Sequence, residues 1–251
     1  FVGSRGLGDV YKRQDFRLVI NSLKKINCVG LNITIPYKEK VFDLCKDVTP
    51  IAKKLKAINT IKLNLNNEWS ATNTDVDGFI YPLNVIQLTK KESLILGSGG
   101  AARAAIQGLI NLKFSKITII SRNQYSLNRL IEDFPNQTQI QGLLNIDSKV
   151  NDLIENADLI VNTTPVGMKT QKDEGGNLPF GKNFWKSLNS KTTVYDLIYN
   201  PNPTELLKMS AKKGCRTIDG TQMLIAQGAK SLSFWTNGLE VPFEIMHDAL
   251  K

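Results

Sequence analysis

The residues with the plainest chemical meaning are glycines. Gly97-Ser98-Gly99-Gly100-Ala101-Ala102 follows the short apolar run Leu94-Ile95-Leu96 and opens onto an alanine-rich stretch with helical spacing. The order is strand, tight turn, helix, and the residues fit G-x-G-x-x-A. At such a turn the unpaired N–H groups and the positive end of the helix dipole attract an anion. A side chain at Gly99 would block close approach of a pyrophosphate, and a small Ala102 lets the helix pack on the strand. The pattern predicts a dinucleotide site built from Gly97, Ser98, Gly99, Gly100 and Ala101. An NAD site places Asp or Glu roughly 20 residues further on, to hold the ribose hydroxyls. Here the second strand ends in Ser121-Arg122-Asn123, without an acid. An arginine at that place pairs with a 2′-phosphate and stacks on adenine, so the predicted cofactor is NADP(H).

Other chemistries find little support. The one histidine, His247, lies near the C-terminus in no motif, and Cys28, Cys45 and Cys215 are far apart with no C-x-x-C. No metal site and no disulfide framework are expected, and a reducing cytoplasm fits. The 32 basic and 23 acidic residues of the 251 give +9. The lysines fall singly or in pairs through polar stretches, without a dense tract interleaved with aromatics, so nucleic-acid binding is not expected. No apolar run reaches the roughly 20 residues of a membrane helix.

The elements around the glycine turn alternate. Apolar strands are predicted at 94–96, 116–120, 157–162 and 193–197, with helices at 104–112 and 127–134. That alternation implies a parallel sheet with right-handed crossovers, an α/β, doubly wound nucleotide-binding domain over 91–222. Before it, 15–90 reads as a smaller α/β lobe. It has an amphipathic helix at 15–23, an alternating strand at 30–35 and a helix opened by Pro36. A strand at 57–65 then turns at Asn66-Asn67 into 68–71, and a helix at 74–88 is entered at Asp75. Residues 223–251 read as helices that return to the first lobe. The Gly-rich opening, 1–14, matches no periodic pattern and reads as a foreign leader.

Several runs occur together in one order: Gly30-Leu31-Asn32-Ile33-Thr34-Ile35-Pro36-Tyr37-Lys38-Glu39, Ala57-Ile58-Asn59-Thr60, Asn73-Thr74-Asp75, and the glycine turn. Asn162-Thr163-Thr164-Pro165-Val166-Gly167-Met168, Asp196-Leu197-Ile198-Tyr199-Asn200-Pro201 and Asp219-Gly220-Thr221-Gln222-Met223-Leu224-Ile225-Ala226-Gln227 follow. From about residue 15 onward the set resembles the shikimate dehydrogenases. The resemblance implies NADPH-dependent reduction of 3-dehydroshikimate to shikimate, on the route to chorismate and the aromatic amino acids, by a substrate lobe and a nucleotide lobe. It implies Lys38 as the proton-transfer lysine with Asp75 as its partner, and Thr34, Asn59, Asp75, Tyr199 and Gln227 as substrate contacts. It also puts Val166, Met168, Leu197 and Gly220 on the nicotinamide side and Ser121, Arg122 and Asn123 around the adenosine phosphate. If Pro36 opens a helix, Lys38 sits in its first turn. The positive helix end there disfavours an extra cation, and a carboxylate such as Asp75 favours it. Lys38 either exchanges the proton itself or stays charged while Asp75 relays it.

The chain departs from the family in two places. The family opens with a strand and a Ser-x-Ser motif whose hydroxyls bind the substrate carboxylate. Residues 1–14 offer only Ser4. An N-terminally truncated chain is therefore expected, one that binds NADP but turns over poorly. Shikimate and quinate preference is left open with it. A second phosphate-binding arginine after Arg122 is also absent, with Arg129 as a substitute one helical turn on. The alternatives are a quinate/shikimate dehydrogenase of broader specificity and a non-catalytic NADP-binding protein. The expected partner is a small molecule, with neither nucleic acid nor membrane, and the assembly a monomer or homodimer.

Overall fold

The computed structural model describes residues 15–249 apart from 27, 35, 87, 89–90, 138, 146–148 and 169–181. The opening read as a leader, 1–14, and Ile35 of the predicted strand lie outside the described residues. By contact the chain forms two units. One runs to Asn73 and adds Phe234–Gly238; the other holds Thr74–Ser233 and the residues from Leu239 onward.

The first unit is a four-stranded sheet with short helices. In chain order it has α1 (Asp15–Lys25), β1 (Gly30–Asn32), a 3-10 turn at Lys40–Leu44, β2 (Cys45–Val48), α2 (Pro50–Leu55), β3 (Thr60–Leu63) and β4 (Trp69–Thr72). The sheet order is β1-β3-β4-β2, with β2 parallel to β4 and the other pairs antiparallel. The β3–β4 hairpin turns at Asn66-Asn67, where Asn67 takes φ 56° and Asn64 Oδ1 accepts the N–H groups of Asn66 and Glu68. Ile20, Ile33, Val41, Ala52, Ile58, Ile61, Trp69 and Ala71 fill the core. Phe234–Gly238 is held to β3 by polar contacts. Trp235 Nε1 donates to Ile61 O at 3.0 Å, and Lys62 Nζ donates to Phe234 O and Asn237 Oδ1 at 2.8 and 2.7 Å. Gly30 makes room for that indole, since a Cβ there would lie 2.3 Å from its nitrogen.

One expectation fails in this unit. Pro36 does not open a helix, because residues 36–39 form successive turns. Tyr37 N–H goes back to Thr34 O, and the Lys38 carbonyl is taken by Ile58 N–H at 2.8 Å. That cross-chain bond uses an acceptor an α-helix would need. The apolar spacing at Val41, Phe42 and Leu44 belongs instead to a 3-10 turn, and Cys45 onward is strand because it pairs with β4. Lys38 therefore has no α-helical dipole beneath it. Burial alone pushes the Cys45 thiol up to about 12.

The second unit begins with α3 (Asp75–Ile80), which gives way at Pro82 to a 3-10 turn, Tyr81–Leu83, because proline cannot continue the helical ladder. The predicted helix thus ends eight residues early. Next come β5 (Glu92–Leu96), α4 (Gly100–Asn111), β6 (Lys116–Ser121), α5 (Gln124–Glu132), β7 (Ile140–Leu144), α6 (Val150–Asn156) and β8 (Leu159–Asn162). The chain continues through α7 (Lys182–Ser187), β9 (Thr193–Asp196), α8 (Glu205–Lys212), β10 (Arg216–Ile218), α9 (Thr221–Trp235) and α10 (Phe243–Asp248). The sheet is wholly parallel, in the order β10-β9-β8-β5-β6-β7. Its inner strands are buried on both faces, which is why they read as continuous apolar runs. This is the expected α/β, doubly wound Rossmann-type architecture. The order reverses between β5 and its neighbours β6 and β8, the switch point where such sheets hold ligands at their carboxyl ends. No helix among the described residues is long and apolar enough to cross a membrane.

A buried ion pair ties the first crossover helix to the second. Arg103 on α4 bonds Asp133 at the end of α5, each side chain only 8% exposed. Removing one partner leaves the other charge buried, at a cost of about 3–5 kcal/mol. Arg103→Ala is accordingly expected to lower the urea midpoint by that equivalent without changing the slope. A shift under about 1 kcal/mol would show that water replaces the lost partner.

Candidate functional site

The glycine turn is built as its spacing predicts, but its glycines differ in purpose. Gly97 has φ +105°, donates its N–H to Ile120 O, and would drive a Cβ to 2.7 Å from Thr164 Cγ2 and 2.9 Å from Thr163 Oγ1. It is glycine for the backbone's sake. Gly99 and Gly100 face open space, with nothing within 4 Å of an added Cβ. Gly99 is the N-cap of α4 and no side chain caps the helix. Ala102 is fully buried, as helix-on-strand packing requires. The start of a 12-residue helix is thus left clear of side chains at the switch point of the sheet.

Beside it, Ser121 closes β6 and Asn123 caps α5, its Oδ1 accepting Ser126 N–H at 3.0 Å. Arg122 is exposed between them, with no acid at either neighbour. Arg129, expected as a second phosphate ligand, lies with its guanidinium 5.9 Å from the centre of the Tyr125 ring. Ser98 of the glycine turn reaches across to Ser121 Oγ and Ser126 Oγ. Ser126 was invisible as a site residue, because only the fold brings α5 to the turn.

The carboxyl ends of β8 and β9 carry a buried polar cluster. Asn162 Nδ2 donates to Asp196 Oδ1 at 2.9 Å, and its Oδ1 accepts from both the N–H and the hydroxyl of Thr164. Thr204 Oγ1 donates to Asp196 Oδ2 at 2.6 Å and Ile198 N–H to Oδ1. Burial pushes the Asp196 carboxyl up, these three donors pull it back, and Asp219 pushes it up again. The cluster fixes the loops bearing Val166, Met168 and Leu197: Val166 O accepts from Asn162 Nδ2, and Leu197 N–H donates to Asn162 O. Met168 is 43% exposed, and Leu197 is half-buried. Gly220 lies tight against the chain after β9. A Cβ there would sit 2.2 Å from Leu197 O, so its bareness serves this chain's own backbone crossing.

Of the substrate candidates, Asp75, Tyr199 and Gln227 belong to the second unit. Asp75 opens α3 and is 8% exposed, whereas Tyr199 is 47% exposed. The buried tyrosine of this region is Tyr195, stacked on Phe79 at 5.3 Å. α3 lies hard against α9 at Gly78, where a Cβ would meet Met223 O at 2.8 Å and Gln227 Cβ at 2.9 Å. Thr74 Oγ1 lies 3.2 Å from Ser231 Oγ and 3.5 Å from Gln227 Oε1. This packing brings the entry to Asp75 and the Gln227 side chain to one place.

The first unit gathers Thr34, Lys38 and Asn59. Ile33 N–H donates to Asn59 O at 2.7 Å and Ile58 N–H to Lys38 O at 2.8 Å, so the segment carrying Thr34 and Lys38 lies beside the one carrying Asn59, some twenty residues on. Asn59 is buried, with its Oδ1 accepting Thr60 Oγ1; Lys38 is half-buried and Thr34 exposed. Among the described residues no group of three or more His, Cys, Asp or Glu could hold a metal ion.

The two glycines of the turn separate folding from binding. Gly97→Ala is expected to cost about 1–3 kcal/mol of stability, read from denaturant melts. Gly99→Asp supplies a good N-cap and should leave the melt unchanged or raised. Its carboxylate takes the N–H groups and repels phosphate, so dinucleotide affinity should fall at least tenfold, read by titration calorimetry. Equal affinity in Gly99→Asp and the parent chain would show that the helix start holds no phosphate.

Comparison with known proteins follows the same division. Residues 9–61 match the family model of the shikimate dehydrogenase substrate binding domain, 83–169 that of shikimate / quinate 5-dehydrogenase, and 220–251 that of the shikimate 5'-dehydrogenase C-terminal domain. The shikimate dehydrogenase (NADP(+)) of Prochlorococcus marinus strain MIT 9312 is 72% identical over 240 residues, covering 96% of this chain and 84% of that relative. The crystal structure of shikimate dehydrogenase from Aquifex aeolicus matches with TM-score 0.83 at 30% identity, covering 96% of this chain and 84% of that one. Quinate dehydrogenase from Corynebacterium glutamicum in complex with NAD matches with TM-score 0.83 at 29% identity, over 97% and 85% of the two chains. At 72% identity over nearly the whole chain, the chain belongs to the shikimate dehydrogenase family.

Proposed function

We propose that this protein is an NADP-dependent shikimate dehydrogenase, reducing 3-dehydroshikimate reversibly to shikimate in chorismate biosynthesis. The observation that carries the reading is the high identity, along nearly the whole chain, to a relative of that name. The residues fit the cofactor. The helix start at Gly99 and Gly100 is clear of side chains, and Arg122 stands exposed where an NAD site would have an acid. The main chain of Gly97, Ser98, Gly99, Gly100 and Ala101 would hold the pyrophosphate, and Ser121, Arg122 and Asn123 the adenosine phosphate. Val166, Met168, Leu197 and the chain at Gly220 would border the nicotinamide.

NADPH supplies the hydride when bound. The chain's own task is to orient the substrate and to place a proton on the oxygen that becomes a hydroxyl. Lys38 and Asp75 are the proton-handling groups: the Lys38 ammonium donates the proton, and the Asp75 carboxylate orients a substrate hydroxyl. Thr34, Asn59, Tyr199 and Gln227 bind the remaining polar groups and the ring. The reading includes a cytoplasmic enzyme, working as a monomer or homodimer. It also includes a division into a substrate lobe at 15–90, a nucleotide lobe at 91–222 and C-terminal helices at 223–251.

Loss of the proton-handling groups should strike turnover. Lys38→Met and Asp75→Asn are each expected to lower kcat by a factor of about 10² or more, with NADP affinity unchanged. NADPH oxidation with 3-dehydroshikimate measures this. Full turnover in either variant would overturn the assignment, and preferential oxidation of quinate over shikimate by the parent chain would replace the substrate.

A further inference from the structure

Among the described residues, the hydroxyl of Ser98 joins the glycine turn to the bend carrying Arg122. Its Oγ lies 2.8 Å from Ser121 Oγ and 2.7 Å from Ser126 Oγ. The bend itself is closed by four more bonds. Asn123 N–H donates to Ser121 Oγ at 3.1 Å, and the Ser121 and Ser126 hydroxyls reach Asn123 O at 3.3 and 3.1 Å. Ser126 N–H donates to Asn123 Oδ1 at 3.0 Å. Arg122 is therefore exposed at its side chain while the residues on either side of it are fixed. Three hydroxyl protons are shared among these oxygens, and deleting Ser98 Oγ removes the atom of the glycine turn that reaches both serines.

We propose that Ser98 is a positioning residue for cofactor selection. It locks the Ser121–Ser126 bend to the glycine turn, so that Arg122 meets the 2′-phosphate of a dinucleotide whose pyrophosphate is already seated. The inference rests on the proposed NADP dependence. Its physical basis is preorganisation. A long arginine on a loose bend gives up more conformational freedom on pairing than one on a fixed bend, and charge-assisted pairing with phosphate is sensitive to geometry. NAD has no 2′-phosphate and shares only the pyrophosphate contacts. Slackening the bend should therefore penalise NADP and leave NAD nearly untouched. A Ser98 that merely touched the pyrophosphate would penalise both alike.

The test is a double-mutant cycle on cofactor binding to the full chain, with NADP+ and NAD+ titrated separately. Ser98→Ala is expected to lower the NADP+/NAD+ affinity ratio about fivefold, the worth of roughly one net hydrogen bond, with NAD+ affinity within a factor of two of the parent. Ser126→Ala, which removes one spoke and leaves the phosphate turn intact, should lower the ratio by a smaller factor. In an Arg122→Gln background, where the ratio is already reduced, Ser98→Ala should change it no further. Equal loss for both cofactors, an unchanged ratio, or full additivity with Arg122→Gln would each overturn the inference while leaving the proposed function intact. A parent chain with no preference for NADP+ would sink the proposed cofactor, and this inference with it.

Discussion

The second unit is organised around a helix start that has been left bare. The first N–H groups of an α-helix have no partners within the helix, and something must satisfy them. Among the described helices α5 does so with the Asn123 side chain and α8 with Thr204. α4 does neither, because its cap is Gly99. That omission costs helix stability, and other features offset it. Arg103 anchors α4 by its buried pair with Asp133, Ala102, Ala104, Ala105, Ile106 and Leu109 bury its inner face, and Gly108 lets Phe79 close against it. The helix is held by its body rather than by its end.

The same economy governs the strand ends. A parallel sheet brings several carboxyl ends to one side, where loops must be shaped without regular pairing. Here side chains do the shaping. Asn162 spends both ends of its amide on the loop after β8 and on Asp196, and Asp196 takes three donors in return. A buried carboxylate is tolerable only when so many donors converge on it. Together with the Ser98 contacts, these bonds fix the loops at the carboxyl ends of β6, β8 and β9.

Legibility followed the range of the forces. The glycine turn and the apolar runs at 94–96, 117–120 and 159–161 could be read because the pattern is local: a turn needs its own glycines and a doubly buried strand its own apolar residues. The helix expected at Pro36 could not be corrected from sequence, since what prevents it is Ile58 N–H, twenty residues away, taking the Lys38 carbonyl. β10 passed unread because Arg216-Thr217-Ile218 is an edge strand with two exposed side chains and so lacks an apolar run. α8 did carry a signal, since Thr204 ahead of Glu205, Leu206 and Leu207 is a capping pattern. The crossing at Gly220 could not be read either, since the neighbour that needs a bare Cα there, Leu197 O, is twenty-three residues away.

Residue type therefore says less than the neighbour it answers to. Gly97, Gly99 and Gly220 are chemically identical, yet the first satisfies a left-handed backbone, the second an empty space and the third a crossing chain. Only the empty space is informative about a ligand. The backbone and the crossing would need glycine in a protein that bound nothing, whereas a glycine cap with extended φ has no steric reason to exclude serine or aspartate. The bareness of the α4 start is thus a departure from what stability alone would select. It makes the argument for an anion at that point stronger than a match to a glycine pattern does.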